Sequence, residues 1–287
     1  MKSEIGIIIL NYNNYELTIK CAENLLNLEV DAIILIVDNK STNDSFNILK
    51  QHFYNKIDVI QSGQNKGYSS GNNLGFKYLK NKYPFLKYVS IMNPDVLITY
   101  RNIFSNLTSL LEKYDDIAAI TGMTLTRGKL NISNCFWNIP RGIEVATEQF
   151  ELSNRKELPL EPDENGVAKV EVIPGCFFII KADIFEKIGG FDENVFLFNE
   201  ENILAIKIRK IGMSNALSVK DSYIHNHVHY KKNLKQKLHS KEIGYNSRRY
   251  LISTYYGCTE RIFFEIIVII NRLIIVLKYL KKAIKNQ

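Results

Sequence analysis

The chain has little of what staples a small fold together. Its four cysteines, Cys21, Cys135, Cys176 and Cys258, lie far apart with no Cys-x-x-Cys pair. That excludes a zinc ribbon and a disulfide framework, and leaves ordinary cytosolic thiols. No internal repeat or low-complexity block is present. A long uninterrupted apolar run is also missing. The richest stretch, 262–277, is broken by Glu265, Asn271 and Arg272, short of the roughly 18–20 apolar residues of a spanning helix. The start, Met-Lys-Ser-Glu, leads straight into a short apolar strand without the core or cleavage site of a signal peptide. The expected location is therefore the cytoplasm. Acid is in deficit, with 30 acidic against 37 basic residues and a net charge of +7. Such a balance suits phosphate-bearing partners or an anionic surface without choosing between them. Nothing in the pattern calls for a nucleic acid.

Enough apolar sequence is there for a sizeable core: 46% of 287 residues are hydrophobic, and no staple or partner is needed for folding. Strand and helix alternate through the first half. The pattern predicts strands over Glu4–Leu10, Ala32–Val37, Val59–Gln61 and Tyr88–Met92. Helices are predicted over Tyr15–Leu28, Ser45–His52, Ser70–Leu79 and Arg101–Tyr114. This is α/β alternation, the pattern of a central, mostly parallel sheet with helices on its faces. Ligands of such sheets bind beyond the carboxyl ends of the strands, where Asn11, Asp38 and Asp95 fall. A polar stretch from Glu144 to Asn165, with Pro159 and Pro162, reads as an excursion loop. A strand over Val170–Ile180, interrupted at Pro174-Gly175, and a helix over Ala182–Ile188 follow. Another helix begins at Glu200, with Asn199 as its N-cap and Gly212 past its end.

The sequence Val37-Asp38-Asn39 with Ser41 and Asp44 precedes Asn65-Lys66-Gly67 and Gly71-Asn72-Asn73-x-Gly75. Asn93-Pro94-Asp95, Gly175-Cys176, Gly189-Gly190-Phe191-Asp192-Glu193, Glu200-Glu201 and a late histidine cluster complete the series. In that order and spacing, over about residues 4–230, the chain resembles the family 2 glycosyltransferases of GT-A type, in particular the rhamnosyltransferase-like bacterial group. The resemblance implies one Rossmann-like GT-A domain. Residues 1–115 would form the nucleotide-sugar half, 116–230 the acceptor and catalytic half, and 231–287 a basic, apolar helical extension. It implies inverting, metal-dependent transfer of a hexosyl or deoxyhexosyl group from a UDP- or dTDP-sugar to a glycan hydroxyl, in bacterial surface polysaccharide assembly such as capsule or O-antigen. A noncatalytic nucleotide- or glycan-binding relative is the alternative.

Residue by residue, the resemblance gives Asp38 the ring N–H of a pyrimidine, with Asn11, Asn65, Gly67, Gly71 and Asn93 around the nucleotide. By themselves, Asp38-Asn39 reads equally as a turn and the glycine pair as a plain helix start. Asp95 would hold Mn²⁺ or Mg²⁺ against the diphosphate, since a hard cation takes carboxylate oxygen. Asn93 stands where the family carries a first aspartate, so one negative charge is missing. Glu201 matches the family's base, with Glu200 beside it as a second candidate; the pair would also suit a helix dipole. Ile203 replaces a further aspartate. His225, His227 and His229 alternate and would share a face of an extended segment. Of these, His225 or His227 matches the family's late metal ligand, and Lys231 and Lys232 follow within reach of a phosphate. Trp137, the single tryptophan, would either stack on an acceptor sugar or pack in the core.

A sugar nucleotidyltransferase would need a glycine-rich basic loop after the first strand, where Asn11-Tyr12-Asn13-Asn14 stands instead. The tail, 261–287, would lie on an anionic membrane surface near a lipid-linked acceptor, or pack on the catalytic domain or a second copy as a homodimer.

Overall fold

The computed structural model describes residues 3–147, 158–226 and 233–285. Its strands are β1 (Ile5–Asn11), β2 (Ile33–Asp38), β3 (Asp58–Gln61), β4 (Tyr88–Met92), β5 (Val96–Leu97), β6 (Ile117–Thr126), β7 (Lys129–Leu130), β8 (Val167–Val170), β9 (Phe177–Lys181) and β10 (Ser214–His225). The helices are α1 (Tyr15–Asn27), α2 (Ser45–His52), α3 (Tyr68–Lys82), α4 (Ile103–Lys113), α5 (Glu144–Thr147), α6 (Ala182–Lys187), α7 (Glu200–Lys210), α8 (Leu234–Tyr255) and α9 (Cys258–Lys285).

One sheet runs in the order β3-β2-β1-β4-β9-β6-β10-β5, with β7 on β6 and β8 on β10. The first four strands are parallel. They are apolar almost throughout, as strands covered on both faces must be. Alternation along β1 sends Ile7 and Ile9 into one core with α1 and α4, and Ile8 into another with α3, α6 and α7. The expected boundary near residue 115 falls between α4 and β6, inside the same sheet.

The predicted strand over Val170–Ile180 is in fact two. β8 pairs with β10, whereas β9 enters antiparallel between β4 and β6. Pro174, without an N–H for a ladder, lies in the connection, and the chain changes neighbours there. The segment read as an excursion loop begins with α5; residues 148–157 lie outside the described residues.

Two compact units are distinguished. The first comprises Met1–Ile139, Lys156–Phe196 and Glu200–Lys231; the second comprises Pro140–Arg155, Leu197–Asn199 and Lys232–Gln287. In the second, α8 starts from a reciprocal Asn233/Gln236 capping box. α9 packs on α8 through an edge-to-face contact of Tyr245 with Phe264. The Arg249 guanidinium also donates to both oxygens of Glu265 at 2.5 and 2.9 Å.

Candidate active site

At the carboxyl rim of the parallel strands, Asp38 is fully buried. It accepts from Asn11 Nδ2 at 2.7 Å, from Ser41 N at 3.0 Å and Oγ at 2.6 Å, and from Gln61 Nε2 at 2.9 Å. Two donors per oxygen satisfy the carboxylate within the protein. Asn11 is spent as well: its Nδ2 also reaches Ser41 Oγ at 3.2 Å, and its Oδ1 accepts from Thr18 Oγ1 at 2.8 Å. Tyr12, the next residue, is 47% exposed.

Asn65 Oδ1 accepts from Asn39 Nδ2 and from the Gly67 N–H at 3.1 and 3.0 Å. Gly67 has φ 96°, and a Cβ there would sit 2.0 Å from the Phe196 carbonyl oxygen. Both space and dihedral demand glycine at that position. At Gly71 the missing side chain serves packing, because a Cβ would meet Leu10 Cδ1 at 2.5 Å. α3 can therefore lie close on β1.

Asn93-Pro94-Asp95 is a tight turn between β4 and β5, closed by Val96 N–H to the Asn93 carbonyl at 3.1 Å. β10 ends against it: His225 is paired in register with Val96, and the Asn226 N–H donates to the Asp95 carbonyl at 3.3 Å. This pairing brings His225 Nε2 within 3.3 Å of Asp95 Oδ1, an ion-pair contact in which the Asp95 side chain stays 20% exposed. Burial disfavours charge on His225. The Asp95 carboxylate and the Cys176 sulfur outweigh it and raise the imidazole pKa to about 10. β10 reaches this position past a bulge between Ser218 and Ser222. Asp221 braces the bulge by accepting from Tyr100 OH, Asn106 Nδ2 and Ser218 Oγ at 2.6, 2.9 and 2.6 Å. His227, His229, Lys231 and Lys232 lie outside the described residues.

The dipeptide Gly175-Cys176, just before β9, ties this turn to the glutamates. The Cys176 carbonyl accepts from Asn93 N–H at 2.7 Å, while Gly175 N–H donates to Glu201 Oε1 at 3.3 Å. A Cβ on Gly175 would stand 2.9 Å from that same oxygen. From α3, the Tyr68 hydroxyl donates to the Gly175 carbonyl at 2.7 Å. Burial first, and then the charges of Glu200 and Glu201, push the Tyr68 pKa well up.

Glu200 is buried, and its Oε2 has no hydrogen-bond partner. Burial, followed by the charge of Glu201, raises its pKa well above the ordinary carboxylate range. The residue before it holds the expected N-cap position, directly ahead of α7, with an unusual backbone. Asn199 has φ 68° and Phe198 φ 72°, outside the extended geometry of an N-cap. Two successive left-handed residues without glycine cost roughly 1–2 kcal/mol each. Trp137, half-buried, donates from Nε1 to Asn202 Oδ1 at 2.9 Å and pairs by backbone with Val172. The contact fixes the indole beside the first turn of α7.

The profile of the glycosyl transferase family 2 matches residues 6–189. The chain belongs to that family. It is 27% identical to the low-salt glycan biosynthesis hexosyltransferase Agl10 of Haloferax volcanii, over 73% of this chain and 63% of that protein. It is 24% identical to the rhamnosyltransferase WbbL of Escherichia coli K12, over 73% of this chain and 78% of that one. Among solved structures it is similar in fold to GalNAc-T7 with UDP, GalNAc and Mn²⁺, with TM-score 0.65 at 12% identity over 91% of this chain and 49% of that one. It is also similar to the Pyrobaculum calidifontis mannosyltransferase PcManGT with GDP-Man and Mn²⁺, with TM-score 0.57 at 14% identity over 88% and 63%. These likenesses establish the GT-A fold.

Sequence reasoning passed over Ser41 and Gln61 as partners of Asp38, and Tyr68 and Cys176 beside Glu201 and His225. Only the exposed aromatic of Tyr12, directly after a strand end, carried a readable signal.

Proposed function

We propose that this family 2 member is an inverting glycosyltransferase that moves a hexosyl or deoxyhexosyl group from a UDP- or dTDP-sugar to a hydroxyl of a growing bacterial surface glycan. The observation that carries the reading is the stitching of the Asn93–Asp95 turn and Glu201 through one dipeptide, Gly175-Cys176. Glu201 accepts the proton of the acceptor hydroxyl. As that oxygen bonds to the anomeric carbon, the carbon's bond to the diphosphate breaks on the opposite face and the electron pair leaves with the nucleoside diphosphate. Burial that raises the Glu200 pKa favours its neutral form, which leaves Glu201 as the carboxylate for the acceptor proton. Trp137 offers a flat face to the acceptor sugar.

A divalent cation fits the Asp95–His225 pair once the imidazole releases its proton, a carboxylate oxygen then standing beside a bare ring nitrogen. Among the described residues no three His, Cys, Asp or Glu form a fuller cage, so diphosphate oxygens and water would supply the other ligands. Bound there, the ion would neutralise charge on the leaving group. Mn²⁺ in the two solved relatives above supports this choice, with Mg²⁺ as the other candidate. Tyr12 supplies a stacking face for the base.

Incubating the protein with a panel of UDP- and dTDP-sugars and Mn²⁺ tests the reading. One donor should be slowly hydrolysed, and Asp95→Ala should abolish that. Nucleotide binding without turnover of any donor, even with glycan acceptors, would leave a noncatalytic relative.

A further inference from the structure

Nine of the nineteen exposed large apolar side chains among the described residues lie on α9, which concentrates apolar surface on one helix. Phe264 and Val268 are buried, and the Arg249–Glu265 pair fixes the helix on α8. The outward face is thereby set. It carries the stripe Ile262, Ile266, Ile269 and Leu273, and the positions beside the stripe, Phe263 and Ile270, are exposed and apolar too. At 100° per residue the nine exposed apolar positions span about 160°. A two-stranded coil would use a narrower seam with charged flanks, so a second copy fits poorly. A flat apolar medium fits well.

Charge selects the medium. Arg261, Arg272 and Lys278 are exposed at the margins of the face, with Arg272 also paired to Glu242 at 2.7 Å. Of the two acids on α9, Glu265 is committed to Arg249 and Glu260 accepts from the Gly257 N–H at 3.1 Å. The helix continues through Lys281, Lys282 and Lys285 without an acid. No helix among the described residues is long and apolar enough to cross a membrane. We propose that α9 lies in the plane of an anionic lipid bilayer, its apolar face in the acyl boundary and its basic margin at the headgroups.

Flotation of the full chain with vesicles tests this directly. Protein should rise with vesicles of phosphatidylcholine mixed with phosphatidylglycerol, less so at high salt, and stay behind with phosphatidylcholine alone. Ile266→Ser with Leu273→Ser should cut recovery by roughly tenfold or more. Lys281→Gln with Lys282→Gln, which alters no apolar residue and so separates lipid attraction from misfolding, should cut it by roughly tenfold. Absence of flotation, or equal recovery on neutral vesicles, would overturn the proposal. So would a dimer in sedimentation equilibrium that the serine pair dissociates, because a second copy would then cover the face.

Discussion

Two carboxylates at the same rim are held in opposite ways. Asp38 is sealed, with four internal donors on its two oxygens. Asp95 stands on a turn with a fifth of its side chain exposed and one imidazole at 3.3 Å. A carboxylate filled by the protein organises structure, whereas one left partly open beside an imidazole has room for a ligand. The difference teaches that position at the strand ends alone does not assign a role. Exposure at the rim separates the two.

The comparison breaks most visibly at Asp95. Asp95→Ala should lower kcat/KM for the donor about 10³-fold while the chain stays folded, as read by donor consumption and thermal melts. Glu201→Gln comes next, lowering kcat about 10²-fold or more while donor KM stays put. Asp38→Ala should act the other way round. It strands buried donors of Asn11, Ser41 and Gln61, and should cost about 1–3 kcal/mol in denaturant unfolding, with donor affinity falling only as folding fails.

The smallest effect belongs to Glu200. Its folded-state pKa is raised above the ordinary value of 4.5, so the folded chain binds more protons than the unfolded one. The stability this contributes is fully present below that ordinary value and is lost as pH rises through the folded pKa. From about pH 5 to 8, wild-type stability should fall more than that of Glu200→Gln, whose side chain stays neutral. Parallel curves in chemical denaturation would remove the neutral Glu200 from the account.

The parallel half was legible because β1 to β4 are short apolar runs between turn residues, and their carboxyl ends locate the rim without tertiary information. Asp95 and its turn could be read for the same reason. The antiparallel insertion of β9 could not, since Val170–Ile180 is apolar on either pairing and only tertiary contacts decide which neighbour each piece takes. Asn199 has the residue type of an N-cap, yet its backbone is left-handed; local preference yielded to the path of the chain. Likewise, the saturation of Asp38 depends on Gln61 from β3, a partner that strand register supplies and sequence spacing does not reveal.

The most direct test titrates UDP and dTDP into wild type and Asp95→Ala by calorimetry, with and without Mn²⁺. Wild type should bind one nucleotide tightly only when Mn²⁺ is present, and Asp95→Ala should lose that metal-dependent gain while keeping weak metal-free binding. Equal metal-dependent affinity in both proteins would contradict the assignment of Asp95 as the partly exposed, metal-binding carboxylate.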